Sequence, residues 1–303
     1  MSLPANPSLR RLFFLLIASM IIFGTITAPS ATKAAATGKL PKATWLWNTK
    51  LIETQTEELL AFSASEGIRM IYLQISTRVD IPYYKQFIYK ANALGIQVHA
   101  LNGAPNWALE SNRSQLTSFM NWIRSYQATA AEEEQFTGVH VDIEPYLLPE
   151  WKNDINNVIK QWQSNVKYLI QEAANLKLPI AADLPFWLDK YAASDSEMSL
   201  SSWMISQFDS VTLMSYRDSA DAVIKLAKEE LQEAEKLNKR IYTGVETKYS
   251  SEGNQVSFYE EGYDYMNAQL LYLDQLGRAY SSYAGIAVHD LVGMMEMAQR
   301  SKP

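Results

Sequence analysis

The chain has 303 residues, of which 48% are hydrophobic and 12% aromatic, a length that suits one barrel-sized domain. Its formal net charge of -6 argues against nucleic acid or an anionic membrane surface as the main partner. The sequence has no cysteine, which excludes disulfides, thiol catalysis and cysteine-ligated metals.

Residues 1–36 have the pattern of a signal peptide with a short leader. Arg10 and Arg11 precede the apolar run LFFLLIASMIIFGTI, and the small residues of APSATKAAATG follow. This run is shorter than the ~20 apolar residues of a spanning helix, so we expect cleavage near residues 34–36; an uncleaved membrane anchor is the alternative. Cleavage would remove three cations and no acid, taking the charge from -6 to -9. We expect a secreted or extracytoplasmic protein with no stable membrane span.

From residue 40 to residue 303, short apolar runs alternate with longer amphipathic segments, as expected for one catalytic domain. The predicted strands are 43–48, 69–76, 97–103, 138–145, 179–187, 210–216, 240–247 and 284–291. Strands that alternate with helices pair in parallel through right-handed crossovers, and eight such units predict a single (β/α)8 TIM barrel of the α/β class. An open doubly wound sheet is the alternative, but its glycine-rich phosphate turn is missing after the first strand, in WLWNTK.

Every predicted strand finishes in a polar or aromatic residue, and barrel active sites lie at the carboxyl ends of the strands. Carboxylates, amides and aromatic rings with almost no lysine are typical of a site for a neutral, hydroxyl-rich ligand. We therefore expect an oligosaccharide or polysaccharide substrate. The predicted substrate-binding residues are Trp47, Gln74, Asn102, Asp183, Trp187, Arg217, His289 and Asp290.

The stretch GVHVDIEPY, residues 138–146, carries the strongest catalytic signal. Helices cover the outer face of each barrel strand, so Val139, Val141 and Ile143 should pack outward. His140, Asp142 and Glu144 should then point inward, with Glu144 nearest the mouth. Neighbouring carboxylates in a partly dry interior have raised pKa values, which suits a general acid. For His140 we expect a place in the polar core of the barrel, paired with Asp142, rather than a catalytic role.

Two motifs resemble the chitinase-like family 18 glycoside hydrolases. The fourth strand of that family ends in Asp-x-Glu, here Asp142-Ile143-Glu144, and its sixth strand ends in Met-x-Tyr, here Met214-Ser215-Tyr216. The resemblance implies that Glu144 donates a proton to the leaving sugar oxygen. It also implies that Asp142 orients an acetamido group of the substrate and that Tyr216 hydrogen-bonds the same group. The chain as a whole also resembles a group of exported bacterial barrel proteins.

A second catalytic assignment uses Glu246, at the end of the seventh predicted strand. Retaining hydrolases of another large barrel clan place their acid/base and their nucleophile at the ends of strands four and seven. Glu246 would then attack the sugar directly. A binding role, in a hydrogen bond or salt bridge, is the other interpretation of this residue.

The leading hypothesis is an exported glycoside hydrolase that acts on a cell-wall or extracellular glycan, with no cofactor and no metal. An inactive barrel that binds glycans in the cell envelope is the main alternative. It is motivated by His140, where the family signature has an aspartate, and by His289, where the family has a tryptophan. A metal-dependent hydrolase is a weaker alternative, because His140, Asp142, His289 and Asp290 could converge.

Overall fold

The computed structural model describes residues 42–301, and these form a closed barrel of eight parallel strands. The predicted signal peptide, residues 1–36, lies outside the described residues. The strands are β1 (Lys42–Leu46), β2 (Ile68–Gln74), β3 (Gln97–Asn102), β4 (Gly138–Asp142), β5 (Ile180–Pro185), β6 (Ser210–Met214), β7 (Arg240–Glu246) and β8 (Tyr283–His289).

Helices follow every strand, as the alternating sequence pattern predicts. They are α1 (Leu51–Thr54), α2 (Thr56–Glu66), α3 (Ile81–Ala93), α4 (Arg113–Gln127), α5 (Pro149–Asn153), α6 (Ile155–Leu176), α7 (Leu200–Gln207), α8 (Ala220–Leu237), α9 (Tyr263–Gly277) and α10 (Leu291–Arg300). Gly67 ends α2 in the left-handed region, at φ 75°, where glycine has no steric penalty. The eight predicted strands and the TIM barrel are confirmed.

The barrel closes between its first and last strands. Each strand pairs in parallel with the next, and β1 returns to β8 through the register pairs Lys42–Ile286, Ala43–Ala287 and Thr44–Val288. Closure leaves no edge strand, so backbone hydrogen bonds are satisfied around the whole ring. All eight carboxyl ends therefore surround one mouth.

The strands pack their two faces into two different environments. Val139, Val141 and Ile143 of the β4 segment belong to the large apolar layer between the barrel and its helices. A smaller cluster lies inside the barrel and includes Trp45 and Tyr72. At roughly 25 cal/mol per Å² of buried apolar surface, the outer layer is the main source of stability.

Between residues 42 and 301, no helix is long and apolar enough to cross a membrane.

Candidate active site

Strand β4 directs His140, Asp142 and Glu144 toward the barrel interior, as the alternation predicts. The His140 ring is fully buried and stacks on Tyr72 of β2, with ring centroids 3.7 Å apart and planes 24° apart. Its Nε2 lies 2.8 Å from Oδ1 of Asp183, within ion-pair distance but without the alignment of a hydrogen bond. The acid beside His140 is therefore Asp183 of β5, and the expected pairing with Asp142 is not what the structure has.

Asp183 is held at the centre of the barrel. Nε1 of Trp45 donates a hydrogen bond to its Oδ2 at 2.9 Å, and the residue is only 3% exposed. Asp142 and Asp183 are direct register partners on β4 and β5, so two carboxylates stand side by side. The two oxygens of Asp183 face Trp45 and His140, and the predicted direct binding of substrate by Asp183 stays a prediction.

Asp142 is the acid of the site whose hydrogen-bonding capacity is least used. Its Oδ1 is buried and has no hydrogen-bond partner among the described residues. Burial raises the pKa of Asp142 well above its usual value, and the neighbouring charges of Asp183 and Glu144 raise it further. A buried carboxyl with an unpaired oxygen is ready to hydrogen-bond a group that enters the mouth.

Gly103 allows the end of β3 to approach the backbone of Asp142. A Cβ atom built on Gly103 would lie 1.7 Å from the carbonyl oxygen of Asp142 and 2.4 Å from its carbonyl carbon. No side chain fits at that distance, so glycine is required here for close approach rather than for an unusual φ.

Glu144 lies just beyond the end of β4, where Pro145 begins a short helical turn. Burial raises its pKa; a hydrogen bond from the Tyr146 hydroxyl to Oε1 opposes this shift in part. The ring of Tyr146 packs edge-on against Trp187, with centroids 4.8 Å apart. Glu144 thus combines partial exposure with a raised pKa, the combination that a general acid needs near neutral pH.

Tyr216 follows β6, the neighbour of β5, and its ring centroid lies 5.9 Å from that of His289. Burial raises the pKa of its phenol well above the usual value, and the carboxylates of Asp183, Glu246, Asp142 and Glu144 raise it further. The phenol therefore keeps its proton and acts as a hydrogen-bond donor. The structure brings together the four residues predicted to be catalytic.

Glu246 ends β7 with both oxygens engaged. Its Oε1 accepts hydrogen bonds from the backbone N–H groups of Thr247 and Lys248, each at 2.8 Å. Its Oε2 lies 2.8 Å from Nδ1 of His289 on β8. The other ring nitrogen of His289 is 2.8 Å from Nε1 of Trp47. Glu246, His289 and Trp47 therefore form a continuous hydrogen-bonded chain.

Asp290 and Arg217 are bound to other parts of the protein. Oδ1 of Asp290 accepts from the Gly293 N–H and caps α10, while its Oδ2 pairs with Lys248 at 2.7 Å. The peptide bond between His289 and Asp290 is cis. Arg217 donates to the Tyr216 carbonyl oxygen at 2.7 Å, and its guanidinium lies over the Phe186 ring. The predicted binding roles of Asp290 and Arg217 thus compete with these contacts.

The amides at the ends of β2 and β3 flank the acids. Both Gln74 and Asn102 are partly buried. Oδ1 of Asn102 accepts from the Gly103 N–H at 2.9 Å, which orders the β3 end next to Asp142. Trp47 and Trp187 are partly exposed, whereas Trp107 and Trp151 belong to the buried core.

Sequence reasoning missed two interior contacts, the Tyr72–His140 stack and the Trp45–Asp183 hydrogen bond. Strand alternation provided a signal for Tyr72, which precedes the inward Gln74 by two positions. No sequence signal joins Trp45 to an acid 138 residues away. Within the part of the chain that the structure describes, no group of three or more His, Asp or Glu residues is arranged to hold a metal ion.

Comparisons with known proteins agree with the fold. No protein-family model matches the chain, and no curated protein matches it. Solved structures do match, at low identity. The C-terminal domain of a putative chitinase from Desulfitobacterium hafniense DCB-2 has a TM-score of 0.57 at 11% identity, covering 86% of this chain and 97% of that one. A chitinase from Chromobacterium violaceum ATCC 12472 has a TM-score of 0.54 at 11% identity, covering 87% and 100%.

The glycoside hydrolase domain of PgaB (BpsB) from Bordetella bronchiseptica has a TM-score of 0.51 at 12% identity, covering 86% of this chain and 97% of that one. These structures therefore share the (β/α)8 fold with this chain, and at 11–12% identity the similarity is one of fold.

Proposed function

We propose that this protein is an exported glycoside hydrolase that cleaves a cell-wall or extracellular glycan, with Glu144 as the proton donor. The observation that carries the proposal is the cluster of Asp142, Glu144 and Asp183 at the mouth, with the Tyr216 phenol facing it. The chitinase folds of the structural neighbours support the same reaction class. Export rests on the sequence pattern of residues 1–36.

In the proposed first step, the Glu144 proton passes to the glycosidic oxygen as the bond between that oxygen and the anomeric carbon breaks. Its raised pKa keeps Glu144 protonated closer to neutral pH than an ordinary glutamate. A water molecule then adds to the anomeric carbon and returns a proton to the Glu144 carboxylate, which restores the enzyme.

We propose that the substrate's own acetamido oxygen attacks the anomeric carbon as the glycosidic bond breaks. The water of the second step then displaces this oxygen from the anomeric carbon, which restores the acetamido group. The buried, unpaired Oδ1 of Asp142 is suited to orient the acetamido group, and the protonated Tyr216 is suited to donate to its carbonyl oxygen. Glu246 is a poor candidate for the nucleophile, because both of its oxygens already accept hydrogen bonds. This route makes Glu246 a positioning residue.

Turnover of a panel of aryl glycosides and peptidoglycan fragments tests the proposal, with Glu144→Gln as the diagnostic variant. Loss of a general acid should lower kcat by about 10²–10⁴-fold. Folding stability at pH 8 should stay equal or rise, because the amide removes a partly buried carboxylate whose ionisation is costly. Glu150, an exposed acid in α5, gives the control variant Glu150→Gln, which should keep full activity. Activity of Glu144→Gln within a few-fold of wild type contradicts the proposal.

A glycan-binding barrel without catalysis is the second candidate. It is favoured by the hydrogen bond from Tyr146 to Glu144, because that bond occupies an oxygen of the proposed acid. Tyr146→Phe separates the two functions. A hydrolase should keep activity with the alkaline limb of its pH profile moved to higher pH, because loss of the Tyr146 hydrogen bond raises the pKa of Glu144. A binding module should bind glycans and turn over none of them in either form.

A further inference from the structure

Three side chains at the carboxyl ends of three strands form one hydrogen-bonded chain at the rim of the mouth. Two backbone N–H groups fix Glu246, Glu246 contacts Nδ1 of His289 at 2.8 Å, and Nε2 of His289 is 2.8 Å from the Trp47 indole nitrogen. Since β7, β8 and β1 are consecutive in the closed barrel, strand pairing sets the spacing of this chain. Glu246 is anchored, and Trp47 is the free end.

The hydrogen bonds among Glu246, His289 and Trp47 require one protonation state of His289. The Trp47 indole nitrogen is always a donor, so Nε2 of His289 must accept and carry no proton. The proton of the neutral ring is then on Nδ1 and is donated to Glu246. A second proton would occupy Nε2 and convert it into a donor, leaving two N–H groups face to face. Protonation of His289 is therefore incompatible with the Trp47 hydrogen bond.

The Trp47 indole also forms the wall of an open cleft. A cavity of about 460 Å³ lies between the end of β1, α2 and α10, and the residues lining it include Trp47, Asn48, Gln55, Lys248 and Gln299. Trp47 therefore contacts His289 at the barrel mouth and also lines this cleft, so a glycan chain that extends from the mouth into the cleft would contact the indole. Aromatic rings beside amides and hydroxyl-bonding groups suit the apolar face of a sugar ring.

We propose that Glu246 and His289 are positioning residues that hold the Trp47 indole as a sugar-stacking wall while His289 is neutral, and that protonation of His289 releases this wall. The inference rests on the proposed function for its ligand, a glycan chain. The hydrogen-bonded chain itself does not depend on turnover. Trp47 then determines how tightly a glycan is held where it passes from the mouth into the cleft.

The groups around His289 determine the pH at which its protonation releases the Trp47 indole. Burial lowers its pKa, but the Glu246 hydrogen bond and charge outweigh this effect, and the net pKa is raised. Asp290, next in sequence, and Asp183 on β5 also raise it. Glu144 faces the ring from the β4 end, and the rings of Tyr216 and Trp45 pack at 5.9 and 5.1 Å. Lys248, the nearby cation, is paired with Asp290.

Indole N–H signals in ¹⁵N-tryptophan-labelled full-length protein test the hydrogen-bonded chain without any ligand. The protein has eight tryptophans, and the signal that is missing in Trp47→Phe is assigned to the Trp47 indole. On acidification this signal should move in a single titration as its acceptor is lost. Glu246→Gln keeps an acceptor oxygen and removes the charge, so the midpoint should fall by about one to two pH units. His289→Gln should abolish the titration.

Trp107 provides the internal control, because its indole donates to Gln115, which does not titrate. The Trp107 signal should be constant over the same range. A Trp47 signal that does not change between pH 8 and pH 5 overturns the inference. A midpoint that is the same in wild type and Glu246→Gln overturns it as well.

Titration with an N-acetylglucosamine tetrasaccharide, measured on the same indole N–H signals, tests whether a glycan stacks on Trp47. It should shift the Trp47 signal at pH 8 and bind at least about tenfold more weakly below the midpoint, as expected for loss of one stacking contact. If neither this probe nor any glycan of the turnover panel shifts the Trp47 signal, the proposed stacking role of Trp47 is overturned. Turnover without such a shift refutes this inference alone; a shift without any turnover refutes the hydrolase proposal alone.

Discussion

Asp142 ends β4 and Glu144 lies two residues further on, yet different contacts determine how each holds its proton. Asp142 is buried beside Asp183 and has an unpaired oxygen, whereas Glu144 is partly exposed and accepts from Tyr146. Both pKa values are raised, with burial as the first cause. Ionisation of these acids therefore costs folding free energy at neutral pH, and this cost is relieved as the pH falls toward their raised values.

Asp142→Ala tests whether an acetamido group takes part in the reaction. If the substrate's own oxygen attacks, the loss of kcat should be severe, about 10²-fold or more, on N-acetylated substrates and mild on others. The measurement is kcat on matched glycosides with and without the N-acetyl group. Equal losses on both would show that Asp142 serves the fold rather than the acetamido group.

Glu246→Ala with added azide tests the alternative route. Because both oxygens of Glu246 are engaged in hydrogen bonds, we expect azide to restore no turnover and to yield no glycosyl azide. Product analysis by mass spectrometry gives the answer. A glycosyl azide would identify Glu246 as the nucleophile and contradict the acetamido route.

Among the secondary-structure elements, the contact between the ends of β3 and β4 controls the position of Asp142. The β3 end carries Gly103, and the absence of a side chain there lets the two backbones approach. Asn102 orders the same turn through the Gly103 N–H. The geometry of the catalytic strand thus depends on its neighbour as well as on its own sequence.

Gly103→Ala should therefore damage both stability and activity. A methyl group 1.7 Å from the Asp142 carbonyl oxygen forces the strands apart, and overpacking of this kind costs about 1–3 kcal/mol. Urea unfolding and kcat are the two measurements. Gly95→Ala is the matched control: its φ of 69° costs stability, about 1 kcal/mol, but its nearest neighbour is 3.8 Å away and far from the acids in sequence. Only Gly103→Ala should lose activity; equal loss in both would contradict the role of the β3–β4 contact.

At the scale of the whole molecule, the closed barrel encloses a histidine that is neutral in the folded state. Burial, with a smaller contribution from the nearby His140, lowers the pKa of His99 to about 3. The unfolded chain takes up a proton on this residue near pH 6.5, while the folded chain does not. His99 therefore contributes stability that is fully present above about pH 6.5 and is lost progressively as the pH falls toward 3.

His99→Phe should reduce the acid sensitivity of the fold. The free energy of unfolding of wild type should fall relative to the variant by about 1.4 kcal/mol for each pH unit below 6.5, before the opposing effect of the buried acids, which is common to both proteins. Urea unfolding at pH 7 and pH 4.5 measures the difference. Parallel pH profiles for the two proteins would contradict this account.

The alternation of strands and helices in the sequence determined the barrel, because each apolar run is long enough for only one strand and each strand must pair with its successor. It also determined which face of β4 carries His140, Asp142 and Glu144, since side chains alternate strictly along a strand. The carboxyl-end rule then brought Tyr216 and Glu246 to the same mouth. These inferences use only local periodicity and connectivity.

The tertiary structure alone decided which of these groups contact one another. The pairing of His140 with Asp183 rather than Asp142, the Trp45 bond to Asp183 and the Trp47–His289–Glu246 chain all join residues of different strands. Their distances depend on the register and closure of the barrel, which no local pattern encodes. Asp290 is a further example: its strand-end position predicted sugar binding, and only the tertiary structure shows that its Oδ1 also caps α10.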